Sequence, residues 1–419
     1  MNKQDQFQQG FHILAKPIGP LCNLNCEYCF YTEKEALFPE GQNYRMSETV
    51  LEAFIQKYIA SQNTPEISFV WQGGEPTLMG LDFFRKVIEL QNKYKQGKTI
   101  SNSLQTNGTL LTREWREFLA QHDFLVGLSL DGPEDIHDHY RVDRGGKPTF
   151  HKVLEALTLL KTHGVQFNVL ACVTRESSKR AIDVYRFLKE QGVEFIQFIP
   201  IVERKPDATA VRLGLRHAVP PALDREEAQQ MVGSWTVEPE AYGDFLIQVF
   251  DEWVRNDVGS IHVMNFEWAL SSWMGLPPSV CIFSKRCGSA VTMEHNGDLY
   301  SCDHYVYPDY RLGNVVTDMP SELMALDQQA AFGASKETTL PKACQTCEVR
   351  FACHGECPKH RFLKTPDGEP GLNYLCAGYK KYFRHIHPYM KAMVQLLEHG
   401  LPAAKVMDVI RGPLVVKLT

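Results

Sequence analysis

No apolar run in this chain approaches the ~20 residues needed to span a bilayer. The opening stretch, MNKQDQFQQGFHILAKPIGP, has neither the apolar centre nor the small-residue cleavage site of a secretory signal. A soluble, cytoplasmic protein is expected, with no membrane partner. Basic residues are in deficit: 44 Lys and Arg face 50 Asp and Glu, and a net charge of −6 lacks the electrostatic footprint of DNA or RNA binding. No nucleic-acid partner is expected. No segment repeats at a fixed period. At 419 residues the chain is longer than one hydrophobic core usually supports, so a large domain with at least one smaller unit is expected.

Against these absences stand twelve cysteines. A reducing compartment keeps thiols from pairing, which favours metal ligation or thiol chemistry over disulfides. Between about residues 10 and 260, short runs rich in Val, Ile and Phe alternate with stretches of helical period, the pattern of β-α units on a parallel sheet. Strands are predicted at 12–16, 67–71, 101–105, 124–130, 167–173 and 195–199. Helices are predicted at 47–60, 81–95, 112–121, 150–163, 179–190 and 238–255. Ser47 and Thr112 stand where N-caps are needed, and Gly164 and Gly192 where helices stop. Six units are too few for a closed eight-fold barrel, so an open, partial barrel is the expected α/β architecture. Residues 202–239 are polar and Pro-containing, an insertion with no assigned chemistry. Eight cysteines then fall between Cys281 and Cys376, and helical spacing returns from about residue 384. The expected organisation is therefore a barrel at 1–260, a metal-organised region at 261–383 and a helical tail at 384–419.

Cys22, Cys26 and Cys29 form C-x3-C-x2-C in the loop after the first strand, where tight turns let three thiolates meet one face of a cubane. Three ligands leave one iron open to bind and activate a small molecule, as catalytic metal sites do. A structural zinc with His12 or a distant fourth ligand is the alternative. The same rim carries Gln72-Gly73-Gly74-Glu75-Pro76, Thr106-Asn107-Gly108 and Ser129-Leu130-Asp131-Gly132 at the ends of later strands. In parallel barrels this rim is where active sites are built.

Together these features resemble the radical S-adenosylmethionine (SAM) superfamily. The resemblance implies that Cys22, Cys26 and Cys29 hold a [4Fe-4S] cluster whose open iron binds SAM. It implies also that Gly73, Gly74, Glu75 and Pro76 contact SAM, with Ser129, Asp131 and Arg141 as further candidates for its ribose or carboxylate.

The remaining spacings are Cys281-x5-Cys287-x14-Cys302, Cys344-x2-Cys347-x5-Cys353-x3-Cys357, and Cys376. Eight thiolates supply two sets of four, which suit either zinc or iron–sulfur clusters, and spacing alone does not separate the two. Their order resembles the auxiliary-cluster region called SPASM, most closely that of the anaerobic sulfatase-maturating enzymes. The fold implied is a partial (β/α)6 radical SAM barrel followed by a small Cys-rich SPASM domain and a C-terminal helix. In that pattern the sets interleave: Cys281, Cys287, Cys302 and Cys357 bind one auxiliary [4Fe-4S] cluster, and Cys344, Cys347, Cys353 and Cys376 the other. Three [4Fe-4S] clusters and SAM are the cofactors implied. Cys172, inside an apolar strand, reads as an inert core thiol.

The same resemblance makes Asp303, next to Cys302, the base that deprotonates the target side chain, with Tyr31 and Gln72 lining the substrate cavity. The family oxidises one Cys or Ser in a C/S-x-P-x-R motif of a sulfatase to formylglycine. Its partners would be a nascent or unfolded sulfatase and an electron donor such as flavodoxin or ferredoxin, and a monomer is expected. Two alternatives stay open from the residues alone: a radical SAM maturase that crosslinks a precursor peptide, and a non-enzymatic, zinc-organised adaptor.

Overall fold

A computed structural model of the chain describes residues 10–222 and 231–411. Parts of the expected insertion and tail, 223–230 and 412–419, lie outside the described residues. The six strands read from the sequence are β1 (His12–Ala15), β2 (Glu66–Trp71), β3 (Thr99–Thr106), β4 (Leu125–Ser129), β5 (Phe167–Val173) and β6 (Phe195–Pro200), each parallel to its neighbour. Among the described residues four further strands join the same sheet. β7 (His262–Val263) lies parallel to β6, and β8 (Ala290–Met293) lies parallel to β1 on the other side. β9 (Asp298–Tyr300) and β10 (Arg311–Asn314) continue it antiparallel, giving the order β10-β9-β8-β1-β2-β3-β4-β5-β6-β7.

The α-helices before the cysteine-rich region are α1 (Glu48–Ala60), α2 (Leu81–Tyr94), α3 (Arg113–Gln121), α4 (Glu134–Tyr140), α5 (Phe150–Thr162), α6 (Ala181–Glu190), α7 (Ala208–Arg212), α8 (Pro239–Asn256) and α9 (Met264–Trp273). Both expected caps form: Ser47 accepts a hydrogen bond from the Val50 N–H at 3.3 Å, and Thr112 from that of Trp115 at 3.4 Å. The core lies between sheet and helices because strands such as β1, β2 and β5 bury every second residue. In β2, Ile67, Phe69 and Trp71 are buried, and Trp71 meets Phe54 of α1 and Phe84 of α2 edge-on.

The pairing of β8 with β1 decides where the cysteine-rich region sits. Ala15 lies opposite Trp71 on one side and Met293 on the other. The residues that follow, Lys16, Gln72 and Glu294, therefore emerge together at one rim. The insertion crowns the same end. Its α7 is capped by Asp207, and Glu33 accepts hydrogen bonds from the Arg216 and His217 N–H groups and meets His217 Nδ1 at 3.0 Å. An ion pair between Lys359 and Glu203 ties the insertion to the cysteine region.

The C-terminal helix starts at Cys376 itself and runs to Glu398, earlier than the periodicity from residue 384 indicates. It packs on α8 backbone against backbone: a Cβ on Gly378 would stand 1.9 Å from the Pro239 carbonyl oxygen, and one on Gly243 2.6 Å from that of Gly378. Gly378→Ala should force these helices apart and cost roughly 1–3 kcal/mol, read as a lower thermal midpoint with a loss of iron bound near Cys376.

Burial works to raise the pKa of Glu33, but His217, Lys34 and the Arg216 N–H prevail and hold it below its ordinary 4.5. A carboxyl of this kind stabilises the fold above its unfolded pKa and loses the effect as pH falls through the folded value. The insertion should stay docked at neutral pH and loosen below pH 4.5. Trp235, whose ring lies 5.7 Å from that of His217, should report this by fluorescence, and Glu33→Gln should show the loosened signal at every pH.

Candidate active site at the sheet rim

The loop carrying Cys22, Cys26 and Cys29 is pinned on three sides. Below it, Gly74 N–H donates to the Gly19 carbonyl and Glu75 N–H to that of Leu21, both at 2.9 Å. A side chain at Gly74 has no room, since its Cβ would stand 1.9 Å from the Leu21 oxygen, and Gly73 takes a φ of +135°. Beside it, the Asn107 amide donates to Asn23 Oδ1 at 2.9 Å and reaches Cys22 Sγ at 3.8 Å. Behind it, Arg144 Nε donates to the Cys22 carbonyl at 2.7 Å. Cys26 is buried and Cys22 and Cys29 half-buried, close enough to influence one another's charge. Burial pushes the Cys22 thiol up to about 12 and Cys26 higher still. Coordination would expel these protons. Three soft donors on one short loop, with glycine backbone packed beneath, fit an iron–sulfur cluster with an open iron. His12 lies exposed at the start of β1, away from the loop at that strand's end, and is no fourth ligand there.

Of the SAM-contact candidates, Glu75 is wholly buried. Its Oε1 accepts from the Thr77 N–H and the Thr77 and Thr106 hydroxyls, and its Oε2 from the Asn107 N–H. It thereby locks the β2 and β3 turns together under the cysteine loop. Pro76 opens the 3-10 turn Pro76–Met79. Ser129 Oγ accepts from Gln105 Nε2 at 3.1 Å. Asp131 and Arg141 form a buried ion pair at 2.7 Å, and the Asp131 carboxylate also accepts from the Tyr28 hydroxyl and the Cys172 N–H, both at 2.8 Å. The pair thus braces Tyr28, which stands between Cys26 and Cys29. Cys172 departs from the expected core position. β5 alternates, so Val169, Ala171 and Val173 enter the main core, while Cys172 faces the other way and meets Arg141 Nη2 at 3.4 Å.

On the β8 side, Asp303 opens the 3-10 turn Asp303–Tyr305 and forms an ion pair with Lys16. The Lys16 ammonium lies 3.4 Å from the centre of the Tyr31 ring, and the Tyr31 hydroxyl donates to Glu294 at 2.7 Å. Burial works to raise the Asp303 pKa, but the charge of Lys16, with smaller help from His304 and Lys359, holds it below the usual range. It stays ionised at neutral pH. Gln72 is half-buried beside this group, and among the described residues its side-chain amide takes no hydrogen bond. Lys16 and Glu294 were not among the site residues expected from the sequence. The available signal was position: each is the first residue past a strand ending on this rim.

The other eight cysteines gather as two sets. Cys281, Cys287, Cys302 and Cys357 lie within electrostatic reach of one another, and Cys344, Cys347, Cys353 and Cys376 do likewise. Cys353 and Cys357 part because His354, Gly355 and Glu356 all take left-handed φ, +45°, +72° and +52°. Two non-glycine residues in that region are costly. The turn is held by Arg361, which donates to the Gly355 and His354 carbonyls at 2.8 and 2.9 Å, and by Glu356, which meets His360 and Asn373. Two four-thiol donor sets fit two fully ligated iron–sulfur clusters. Among the described residues no three His, Cys, Asp or Glu side chains converge on the position of a single metal ion.

The parallel sheet with its cysteine loop, glycine turn and auxiliary thiols defines a radical SAM enzyme. A model of the radical SAM superfamily matches residues 17–188, and one of an iron–sulfur cluster-binding domain, SPASM, matches 281–348. The chain belongs to the family of anaerobic sulfatase-maturating enzymes. It is 46% identical over 405 residues, 97% of this chain and 96% of the relative, to a serine-type anaerobic sulfatase-maturating enzyme of Bacteroides thetaiotaomicron. A cysteine-type enzyme of Clostridium perfringens is 34% identical over 384 residues, 90% of this chain and 96% of that one. The structure of native anSMEcpe with bound AdoMet and the Cp18Cys peptide superposes with a TM-score of 0.79 at 32% identity, covering 92% of this chain and 99% of that one. Streptococcus suis SuiB bound to its precursor peptide SuiA shares the fold, with a TM-score of 0.58 at 13% identity over 89% of this chain and 79% of that one. SAM and [4Fe-4S] clusters are the cofactors of this enzyme class. Among the described residues no helix is long and apolar enough to cross a membrane.

Replacing Cys22, Cys26 or Cys29 with Ala should remove one cluster's share of the bound iron and all SAM cleavage. Cys344→Ala should remove one share and spare SAM cleavage, and Cys172→Ala should remove none. Iron analysis beside a 5′-deoxyadenosine assay decides each case.

Proposed function

We propose that this enzyme oxidises a Ser or Cys within a C/S-x-P-x-R motif of a sulfatase chain to formylglycine. The observation that carries the reading is the Asp303 carboxylate at the rim, beside Cys302, in an ion pair with Lys16 whose ammonium lies over the Tyr31 ring. The higher identity to the serine-type relative favours the serine motif as the preferred target. Cys22, Cys26 and Cys29 would hold the [4Fe-4S] cluster that binds SAM, and SAM would supply the hydrogen-atom abstraction from the target Cβ. Asp303 accepts the proton of the target hydroxyl or thiol. A proton acceptor shielded from water suits this step, since its charge is compensated by a fixed ammonium and needs no solvent reorganisation. Gly73, Gly74 and Pro76 would contact SAM, with Ser129 and the Arg141–Asp131 pair as further residues toward its ribose or carboxylate. Gln72 and the Tyr31 ring orient the peptide.

One hydrogen atom, one proton and one electron leave the side chain; from serine this gives the aldehyde directly, and from cysteine it gives a thioaldehyde that water hydrolyses to the aldehyde with release of hydrogen sulfide. The eight auxiliary cysteines would hold two [4Fe-4S] clusters, which would supply a route out for the electron, and an external carrier such as flavodoxin or ferredoxin would serve the enzyme as reductant. The enzyme works as a cytoplasmic monomer on unfolded sulfatase, with its barrel in 1–260, the auxiliary sites in 261–383 and the tail in 384–419.

The test is anaerobic turnover of two peptides bearing the serine and cysteine motifs, read by mass spectrometry. Aldehyde should form, faster on the serine peptide. Deoxyadenosine without aldehyde on either would move the enzyme to the crosslinking maturases. Asp303→Asn should lower aldehyde formation by about 10²-fold or more while SAM cleavage persists, and equal loss of both would remove Asp303 as the base.

A further inference from the structure

Lys16 is the most enclosed cation of the site, 1% exposed, and yet it emerges directly from the end of β1. Its N–H donates to the Met293 carbonyl at 2.9 Å, which fixes its backbone to β8, and its Cβ lies 3.4 Å from where a Cβ on Gly73 would stand. The side chain is thereby wedged between the glycine turn of β2 and the turn that carries Asp303. Among the described residues its ammonium has two partners, the Asp303 carboxylate and the Tyr31 ring face. Removing an ammonium's water is costly, and here the return comes from one full negative charge and one ring quadrupole.

The Asp303 oxygen that faces Lys16 is otherwise without a directed hydrogen bond, so the pair is held by charge more than by angle. A carboxylate on a three-residue turn has two free torsions, and Lys16 is what restricts them. The side chain of Asp303 keeps 20% exposure, which leaves part of the carboxylate open to an incoming group. Tyr31 is fixed in turn by its hydrogen bonds to Glu294, at 2.7 and 2.9 Å, so the ring under the ammonium cannot drift.

We propose that Lys16 is a positioning residue for the oxidation: its ammonium fixes the Asp303 carboxylate against the Tyr31 ring so that the open oxygen meets the target hydroxyl or thiol. This rests on the reading of Asp303 as the base. Lys16 touches neither substrate nor the reacting carbon, and its effect passes wholly through Asp303. Misplacing a catalytic group by about 1 Å costs on the order of 10²-fold in rate, and the loss should fall on proton removal and not on peptide binding.

The experiment compares the reconstituted wild type with Lys16→Met, Lys16→Arg, Asp303→Asn and the double variant Lys16→Met/Asp303→Asn. Aldehyde and 5′-deoxyadenosine are quantified together on the serine-motif peptide. Affinity for a fluorescent copy of that peptide is measured separately by anisotropy. Lys16→Met should lower kcat for aldehyde by about 10²-fold, raise deoxyadenosine released per aldehyde, and leave peptide affinity within about threefold. Lys16→Arg should recover about tenfold of the loss, and the double variant should be no slower than Asp303→Asn alone. An unchanged product ratio in Lys16→Met, equal defects in the Met and Arg variants, or additive loss in the double variant would overturn the proposal. If Lys16→Met fails to fold around its buried partner, the Arg variant and the charge-neutral double variant decide by the same criteria. Wild-type aldehyde yield in Asp303→Asn would instead overturn the base itself, whereas a crippled Asp303→Asn beside a normal Lys16→Met overturns the role of Lys16 alone.

Discussion

The parallel pairing of β1 with β8 is the contact on which the site depends. Residues 12–15 bond to residues 290–293, which come 278 positions later in the chain, and the register sets Ala15 against Met293. Shifting that pairing by one residue would put Lys16 and Glu294 on opposite faces of the sheet. The barrel carries the cysteine loop and the cysteine-rich region carries Asp303. Neither holds a complete site alone, and the four-residue ladder joins them. The C-terminal helix braces the same union from behind, since it starts at Cys376 and lies against α8 through Gly378 and Gly243.

Electrostatics explains why so many charges are buried at this rim. Lys16 faces Asp303, Lys359 faces Glu203, Arg141 faces Asp131, and Glu33 faces His217. Lys34 is the exception: it has a ring partner in Tyr307 at 3.7 Å, and burial brings its pKa down to about 7. Three of these pairs join segments far apart in sequence, and Arg141–Asp131 closes a local turn, so the charges specify which loops meet, where apolar contacts would allow sliding. Such pairs contribute little net stability once desolvation is counted, and their value here is geometric.

Much of this was legible in the sequence. All six strands and their helices emerge within two residues of their expected bounds, because alternation in strands and capping at Ser47 and Thr112 are local signals. The gathering of the eight later cysteines into 281/287/302/357 and 344/347/353/376 matches the interleaved order that the resemblance implied. What escaped was non-local or depended on parity. β8 is four residues long and carries no mark of its distant partner. Lys16 read as the end of a strand, although its side chain is a hub of the site. Cys172 sat in an apolar run, and only the alternation of β5 reveals that it faces away from the main core. The left-handed turn at 354–356 contains a single glycine, too weak a signal beside His354 and Glu356.

That turn has a bearing on how such a protein can change over generations. One set of thiols spans 281–357 and the other 344–376, so the two overlap along the chain, and the tight reversal after Cys353 hands the next cysteine to the opposite set. No continuous segment contains one set without a member of the other. A deletion cannot discard one group and spare its neighbour, and a transplanted segment cannot import just one. By deletion or transplant of a segment the pair is gained or lost as a unit, and only substitution of single cysteines can separate the two.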